Sequence, residues 1–339
     1  MQSFEFKGRA GEWFGIWIVN LLLSVMTLGI YSAWAKVRTN KYFYQNTFVA
    51  GRNFNYHATG LQIFIGRLIV IAAFIAYSVL SLVPILGLVL VLAFVAVSPI
   101  LIQRSLRFKA RVSSWSNVRF NFIGSTEGAY LVYLLYPLLT FLSLFLLAPV
   151  ADRAVKGYTM GNLKLGDHHF EMTAPLAPFY KAFGVVVLWV LGTSAVIWAA
   201  MLPDFSTMDP EDPVVIVQFA GAFYLWFFVA IIPSSLIYDA LIRNVVFNNL
   251  SMDGGHVFAS NVRPIHLVWI AVSNAIVTVI SLGLMLPWAH VRMHRYLAEH
   301  THFAPGGPLD DFISDVEDSR SAIADAYTDL ESIDIGLPI

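Results

Sequence analysis

Six stretches of the chain contain no Asp, Glu, Lys or Arg: those bounded by Glu12 and Lys36, Arg67 and Arg104, Glu127 and Asp152, Lys181 and Asp204, Asp212 and Asp239, and Arg263 and Arg292. A helix needs about 20 apolar residues to cross the hydrocarbon of a bilayer. Five of the stretches fit one helix each. The Arg67–Arg104 stretch is too long for one and contains Pro84 and Gly87, so it reads as two spans joined by a tight turn. The pattern predicts an all-α polytopic membrane protein with about seven transmembrane helices, near 13–35, 62–83, 85–103, 128–151, 182–203, 213–238 and 264–289.

The spans are not independent. At a shift of 254 residues, Ile16, Asn20, Val25, Leu28, Gly29, Trp34, Ala35, Val37, Arg38 and Tyr42 face identical residues from Ile270 to Tyr296, without a gap. A weaker copy lies at a shift of 116, where Phe4/Phe120, Gly8/Gly124, Tyr42/Tyr158, Asn46/Asn162 and Phe54/Phe170 coincide. Short polar segments follow several spans: Asn46–Tyr56, Asn162–Phe170 and Asn249–Phe258. Each alternates around a Gly-centred turn, the pattern of a small β-hairpin. Lone hairpins are marginal in water, so these are expected to pair with one another or to lie on the membrane.

Composition agrees with a membrane body: 58% of residues are hydrophobic and 13% charged, against roughly a quarter charged in soluble domains. Charge also divides the chain. Residues 1–303 form the basic membrane domain. Residues 304–339 form a tail with nine acids and one base. Ile323, Tyr327, Leu330 and Ile333 give that tail a short amphipathic stripe, suited to folding on a partner. With seven crossings and an external N-terminus, eleven bases fall inside and seven outside, which predicts a cytoplasmic tail.

Candidate chemistry concentrates at the ends of spans. Asn20 and Asn274 are the intramembrane polar residues, read as hydrogen-bonding glue between helices or as steps in a polar path. Trp34 and Trp288 stand at span ends as interfacial anchors. Lys36, Arg38, Arg104, Arg107 and Arg292 are the candidate lipid or anion contacts, because basic side chains at that depth meet phosphates. His290 and His294, four apart on one helix face, are the candidate metal ligands, although Lys36 occupies the equivalent place in the first copy. No catalytic constellation, phosphate loop or cysteine is present, so no enzyme activity and no cofactor are expected. The basic Arg104–Arg119 segment is assigned to anionic lipid, not nucleic acid.

The run Leu28-Gly29-Ile30-Tyr31-Ser32-Ala33-Trp34-Ala35-Lys36-Val37-Arg38-Thr39-Asn40-Lys41-Tyr42-Phe43-Tyr44-Gln45-Asn46-Thr47 resembles the signature of the YjgN-like family of bacterial inner-membrane proteins. So do Leu286-Pro287-Trp288-Ala289-His290-Val291-Arg292 and the closing Asp334-Ile335-Gly336-Leu337. The resemblance spans essentially the whole chain and implies a multi-pass protein of the inner membrane, with no mechanism attached. The middle copy departs from the signature, with Ala151-Asp152-Arg153 in place of Ala35-Lys36-Val37. The functional expectation is a membrane scaffold or a lipid- or partner-binding protein. Its contacts would be the bilayer and a protein partner on the acidic tail. The alternative is a transporter or channel with a polar path near Asn20 and Asn274.

Overall fold

The computed structural model describes residues 1–205, 212–308, 311–312 and 314. It resolves the chain into five copies of one unit: strand, helical hairpin, strand. The first has β1 (Gln2–Ser3), β2 (Glu5–Phe6), α1 (Ala10–Met26), α2 (Ser32–Gln45) and β3 (Thr47–Val49). The second has β4 (Arg52–Tyr56), α3 (Gly60–Leu80), α4 (Pro84–Arg111) and β5 (Ser113–Trp115). The third has β6 (Val118–Phe122), α5 (Thr126–Tyr130) continuing through a π-helical turn into α6 (Tyr136–Leu142), then α7 (Ala148–Gly161) and β7 (Leu163–Leu165). In the fourth, β8 (His168–Met172) and α8 (Ala177–Phe205) precede α9 (Pro213–Trp226), which runs through another π-helical turn into α10 (Ile232–Asn248), and β9 (Leu250–Met252) follows. The fifth has β10 (His256–Ser260), α11 (Pro264–Ile280), α12 (Leu286–Glu299) and β11 (Thr301–Ala304).

The strands form one antiparallel sheet in the order β1-β11-β10-β9-β8-β7-β6-β5-β4-β3-β2. β1 pairs with β11 and β2 with β3, and only Phe4 separates β1 from β2. Phe4 itself donates its N–H to the Thr301 carbonyl at 2.8 Å. The sheet therefore curls into a near-barrel ring whose ends meet on the N-terminal strand. This leaves no long exposed edge.

The ring is filled in layers. Phe54, Phe120, Phe170 and Phe258 occupy the same place in four strands, and Phe4, between β1 and β2, continues the row; successive rings lie with centroids 5.8–6.5 Å apart, three of the four contacts stacked. The shorter strands contribute a second set at matching positions, Val49, Trp115, Leu165, Met252 and Phe303, all buried. Inward-facing side chains of a small barrel fill it, so the ring is a packed core. Phe312, at the start of the acidic tail, is buried in the same cluster against Trp115, His168 and His256. The tail's amphipathic stripe, Ile323 to Ile333, lies outside the described residues.

The expected all-α class gives way to helical hairpins hung from a β-ring. The three expected β-hairpins are present; the second and third pair directly, β8 with β9, while the first, β3–β4, lies between β2 and β5. A fourth, β5–β6, lies in the segment read as a basic loop. Among the described residues seven crossings are not found. Four helical segments there are long and apolar enough to span a bilayer: Gly60–Leu80, Pro84–Arg111, Ala177–Ala200 and Pro213–Asn248. The stretches 13–35, 128–151 and 264–289 each fold as two antiparallel helices. Their reversals run through Leu28 and Gly29 (φ 50° and 90°), Leu144 and Phe145 (51° and 67°), and Leu282 and Gly283 (52° and 90°). The reversal residues are themselves apolar, so the absence of charge hides the turn. The pairing of β1 with β11 also places residues 2–3 and 302–303 on one side of any bilayer. An odd number of crossings between residues 3 and 302 is incompatible with that pairing.

Neighbouring hairpins pack side by side around the ring. Helix α2 meets α3, α4 meets α5, α7 meets α8, α10 meets α11, and α12 returns to α1. The last contact forms a seam between the first and fifth units.

Candidate functional site at the seam

Two devices fix the seam. Helix α1 begins after Arg9 without a side-chain cap. The Tyr42 hydroxyl from the returning helix replaces it, accepting the Arg9 N–H at 2.8 Å and donating to the Arg9 carbonyl at 2.9 Å. The same clasp recurs in the other short hairpins, where Tyr158 donates to Ser125 O (2.8 Å) and Tyr296 accepts from Arg263 N (3.0 Å). Across the seam, Arg295 donates from Nη2 to the Gly8 carbonyl at 3.0 Å, tying α12 to the link between β2 and α1.

Between α1, α11 and α12 lies a cleft of about 380 Å³. Arg9, Arg292, Arg295 and His266 line it, with Trp288 and Tyr296 as aromatic walls and Glu299 as its carboxylate. Among the described residues no ion pair joins a carboxylate to Arg9, Arg292 or Arg295. Arg292 is held in place: its Nη1 donates to Ser273 Oγ (2.7 Å) and Asn274 Oδ1 (3.0 Å), and its guanidinium lies 5.1 Å from the Trp288 ring centre. Asn274 is buried and passes the chain on, donating to the Ala289 carbonyl at 3.1 Å.

The residues singled out in the sequence therefore separate. Asn274, Trp288 and Arg292 come together at the seam. Asn20 and Arg38 form the repeat-related pair in the first hairpin, where Arg38 Nη1 lies 3.5 Å from Asn20 Oδ1 and 3.0 Å from the Tyr31 hydroxyl. The two asparagines do not bond each other; each meets the arginine of its own hairpin. Trp34 packs between units, against Phe64 of α3 and over Gly60, where a Cβ would stand 2.3 Å from its ring. Lys36 and Arg104 are exposed, and Arg107 sits beside Tyr158; none of the three lines the cleft. His290 lines a separate, largely apolar pocket with Asn274 and Met293. His294 is walled by Phe6 and Phe43, with Nε2 3.1 Å from Thr47 Oγ1. Burial and then the nearby Arg243 charge push its pKa down to about 4. Among the described residues no group of three or more His, Asp or Glu side chains gathers as a metal site.

Sequence reasoning missed Arg9, His266 and Arg295. Arg295 carried a signal, since it faces Lys41 at the 254-residue shift. Arg9 carried none, because only closure of the ring brings it beside the last hairpin.

Comparison with known proteins agrees with the sequence resemblance. Inner membrane protein YjgN of Salmonella typhimurium (strain LT2) is 28% identical over 346 residues, covering 87% of this chain and 87% of that protein. Inner membrane protein YjgN of Escherichia coli (strain K12) is 34% identical over 139 residues, covering 40% of this chain and 35% of that protein. No solved structure matches. Homology to these proteins makes the chain an inner-membrane protein in contact with the bilayer. Residues 1–330 match the family described as bacterial protein of unknown function (DUF898), and the chain belongs to that family.

Proposed function

We propose that this protein is an anionic-lipid-binding protein of the inner membrane, with its headgroup site in the seam cleft and its β-ring on the cytoplasmic face. The observation that carries the reading is the convergence of Arg9, Arg292 and Arg295 in one cleft walled by Trp288 and Tyr296. Guanidinium groups bind phosphate oxygens two at a time. Indole and phenol rings sit at headgroup depth.

Orientation follows from where the bases stand. Residues 81–83, which join α3 to α4, contain no Lys or Arg, and neither does the sequence from Asp204 to Asp212, which holds four acids. In the two long hairpins every Lys and Arg lies toward the ring ends: Arg67, Arg104, Arg107, Lys109 and Arg111 in the second unit, Lys181 and Arg243 in the fourth. The positive-inside rule then favours a cytoplasmic ring, with both the N-terminus and the acidic tail on that side. The transport reading has less support, because Asn20 and Asn274 are buried and engaged by arginines.

The test is native mass spectrometry of the purified protein exchanged into mixtures of phosphatidylglycerol and phosphatidylcholine. The expected result is at least about tenfold preference for the anionic lipid, lost in Arg9→Gln/Arg295→Gln, a factor of ten being worth about 1.4 kcal/mol. Equal retention of both lipids, or full preference in the double variant at unchanged melting temperature, overturns the proposal.

A further inference from the structure

Three hairpins share a tip. In the first, Thr27, Leu28, Gly29 and Ile30 donate their N–H groups to Leu23, Val25, Ser24 and Thr27 carbonyls, and Tyr31 donates to Thr27 Oγ1. The third and fifth hairpins repeat this: Leu147 N–H goes to Ser143 Oγ, Met285 N–H to Ser281 Oγ, and the preceding amides go to carbonyls of their own helix or turn. Every tip amide is thus satisfied within the tip. Hydrocarbon offers backbone donors no partner, so a turn that enters it has to satisfy them internally, and these tips do so for their N–H groups. The side chains around these amides are apolar and open: Leu28 is 95% exposed, Leu144 84% and Leu282 93%.

The long hairpins set the depth. In α4 the charge-free run Pro84–Gln103 ends at Arg104. At 1.5 Å per residue it is about 30 Å long, the thickness of the hydrocarbon core. Arg104 stands nine residues before β5, as Arg38 stands nine before β3 and Arg292 nine before β11. The ring puts these three arginines at one height, the edge of the hydrocarbon. From Arg38 the chain climbs seven residues to Tyr31 at the tip, about 10 Å. Even the whole of α1, 17 residues, is about 25 Å long and falls short of the far headgroups.

We infer that the three short hairpins are re-entrant: their tips at Leu28, Leu144 and Leu282 enter the acyl chains of the ring-side leaflet to about 10 Å and turn back, while α3, α4, α8 and the α9–α10 segment alone cross. The occupant of these exposed tips is lipid hydrocarbon, continuous with that around the four long helices. The inference holds whichever face the ring occupies.

The chain has no cysteine, so single cysteines can be placed at Leu28, Leu144 and Leu282, with Leu82→Cys between the two spans of the second unit as reference. A membrane-impermeant maleimide is added to sealed membranes from each side. Leu82→Cys is expected to label from the side away from the ring. The three tip cysteines are expected to label from neither side, and fully in detergent. After labelling with bimane in detergent and reconstitution, the tips, about 10 Å deep and so about 5 Å from the midplane, should be quenched more strongly by nitroxides near the chain ends than by nitroxides at the headgroup. Tip labelling from the Leu82 side means a full crossing and overturns the inference. So does labelling from the ring side, or the absence of lipid quenching.

Discussion

Arg292 and Asn274 form a clasp within one helical hairpin: Nη1 to Oδ1 at 3.0 Å, with the asparagine amide locked in turn on the Ala289 carbonyl. The asparagine is buried, and the arginine's charge is delivered to the cleft by way of it. Removing an acceptor from a charged donor costs about 1.5–3 kcal/mol. Asn274→Leu is expected to destabilise by that amount. Asn20→Leu in the first hairpin should cost less than about 1 kcal/mol. Its bond to Arg38 is longer, at 3.5 Å, and its buried Nδ2 has no partner, so leucine removes an unsatisfied group. Thermal unfolding of both variants in one detergent checks the order. Equal losses would show that the two clasps are energetically alike.

Close packing between units rests on glycine at Gly60. A Cβ there would lie 2.3 Å from Trp34 Cδ1, and Trp34 is backed by Phe64. Gly60→Ala is expected to cost about 1–3 kcal/mol through overpacking. Gly15, in the middle of α1, has nothing within 4 Å of its virtual Cβ. Gly15→Ala should therefore stabilise by up to about 1 kcal/mol, the helix-propensity gain. The same unfolding assay compares the pair, and a neutral Gly60→Ala would mean that the Trp34 ring is free to move aside.

Much of this architecture was legible in the sequence, and the losses have physical causes. The 254-residue repeat and the Gly-centred hairpins came through because they depend on polar and aromatic residues that composition cannot match by chance. The fourth hairpin was lost because its turn is Ser116-Asn117, both at positive φ without a glycine. The second and fourth units were lost as repeats because long apolar helices replace the Leu-Gly tip. Ring closure could not be read at all: β1 is two residues long, and its partner lies about three hundred residues away. The seam cleft was half-visible for that reason, showing Trp288 and Arg292 but not Arg9.

The tyrosine clasps give a third expectation. Tyr42 both accepts from and donates to the backbone of Arg9, at a helix start with no other side-chain cap. Tyr42→Phe keeps the ring stack on Trp13, 5.2 Å between centroids, and removes only the hydroxyl. The expected cost is about 1–2 kcal/mol, the range for a lost helix cap. Hydrogen exchange should rise at the amides of the first turn of α1 and stay unchanged in α11. Unchanged exchange in α1 would mean that water takes the place of the hydroxyl without penalty.

His294 makes stability depend on pH. Packed against Phe6 and Phe43 and facing Thr47 Oγ1 and the Arg243 charge, its imidazole is neutral, with a pKa pushed down to about 4. In the unfolded chain an imidazole titrates near ~6.5. Between those values the unfolded state binds the proton and the folded state does not, so stability falls as pH falls. The contribution is complete above about pH 6.5, declines toward pH 4, and amounts to at most about 3 kcal/mol. Burial also lowers His57 and His256, which adds to the slope in the wild type. His294→Gln preserves a hydrogen-bonding partner for Thr47 and removes one titrating group. The wild-type melting temperature should fall relative to that of the variant as pH is lowered from about 7 to about 4.5, whatever gap the substitution opens at neutral pH. Parallel curves would show that His294 takes up its proton in the folded protein as readily as in the unfolded one.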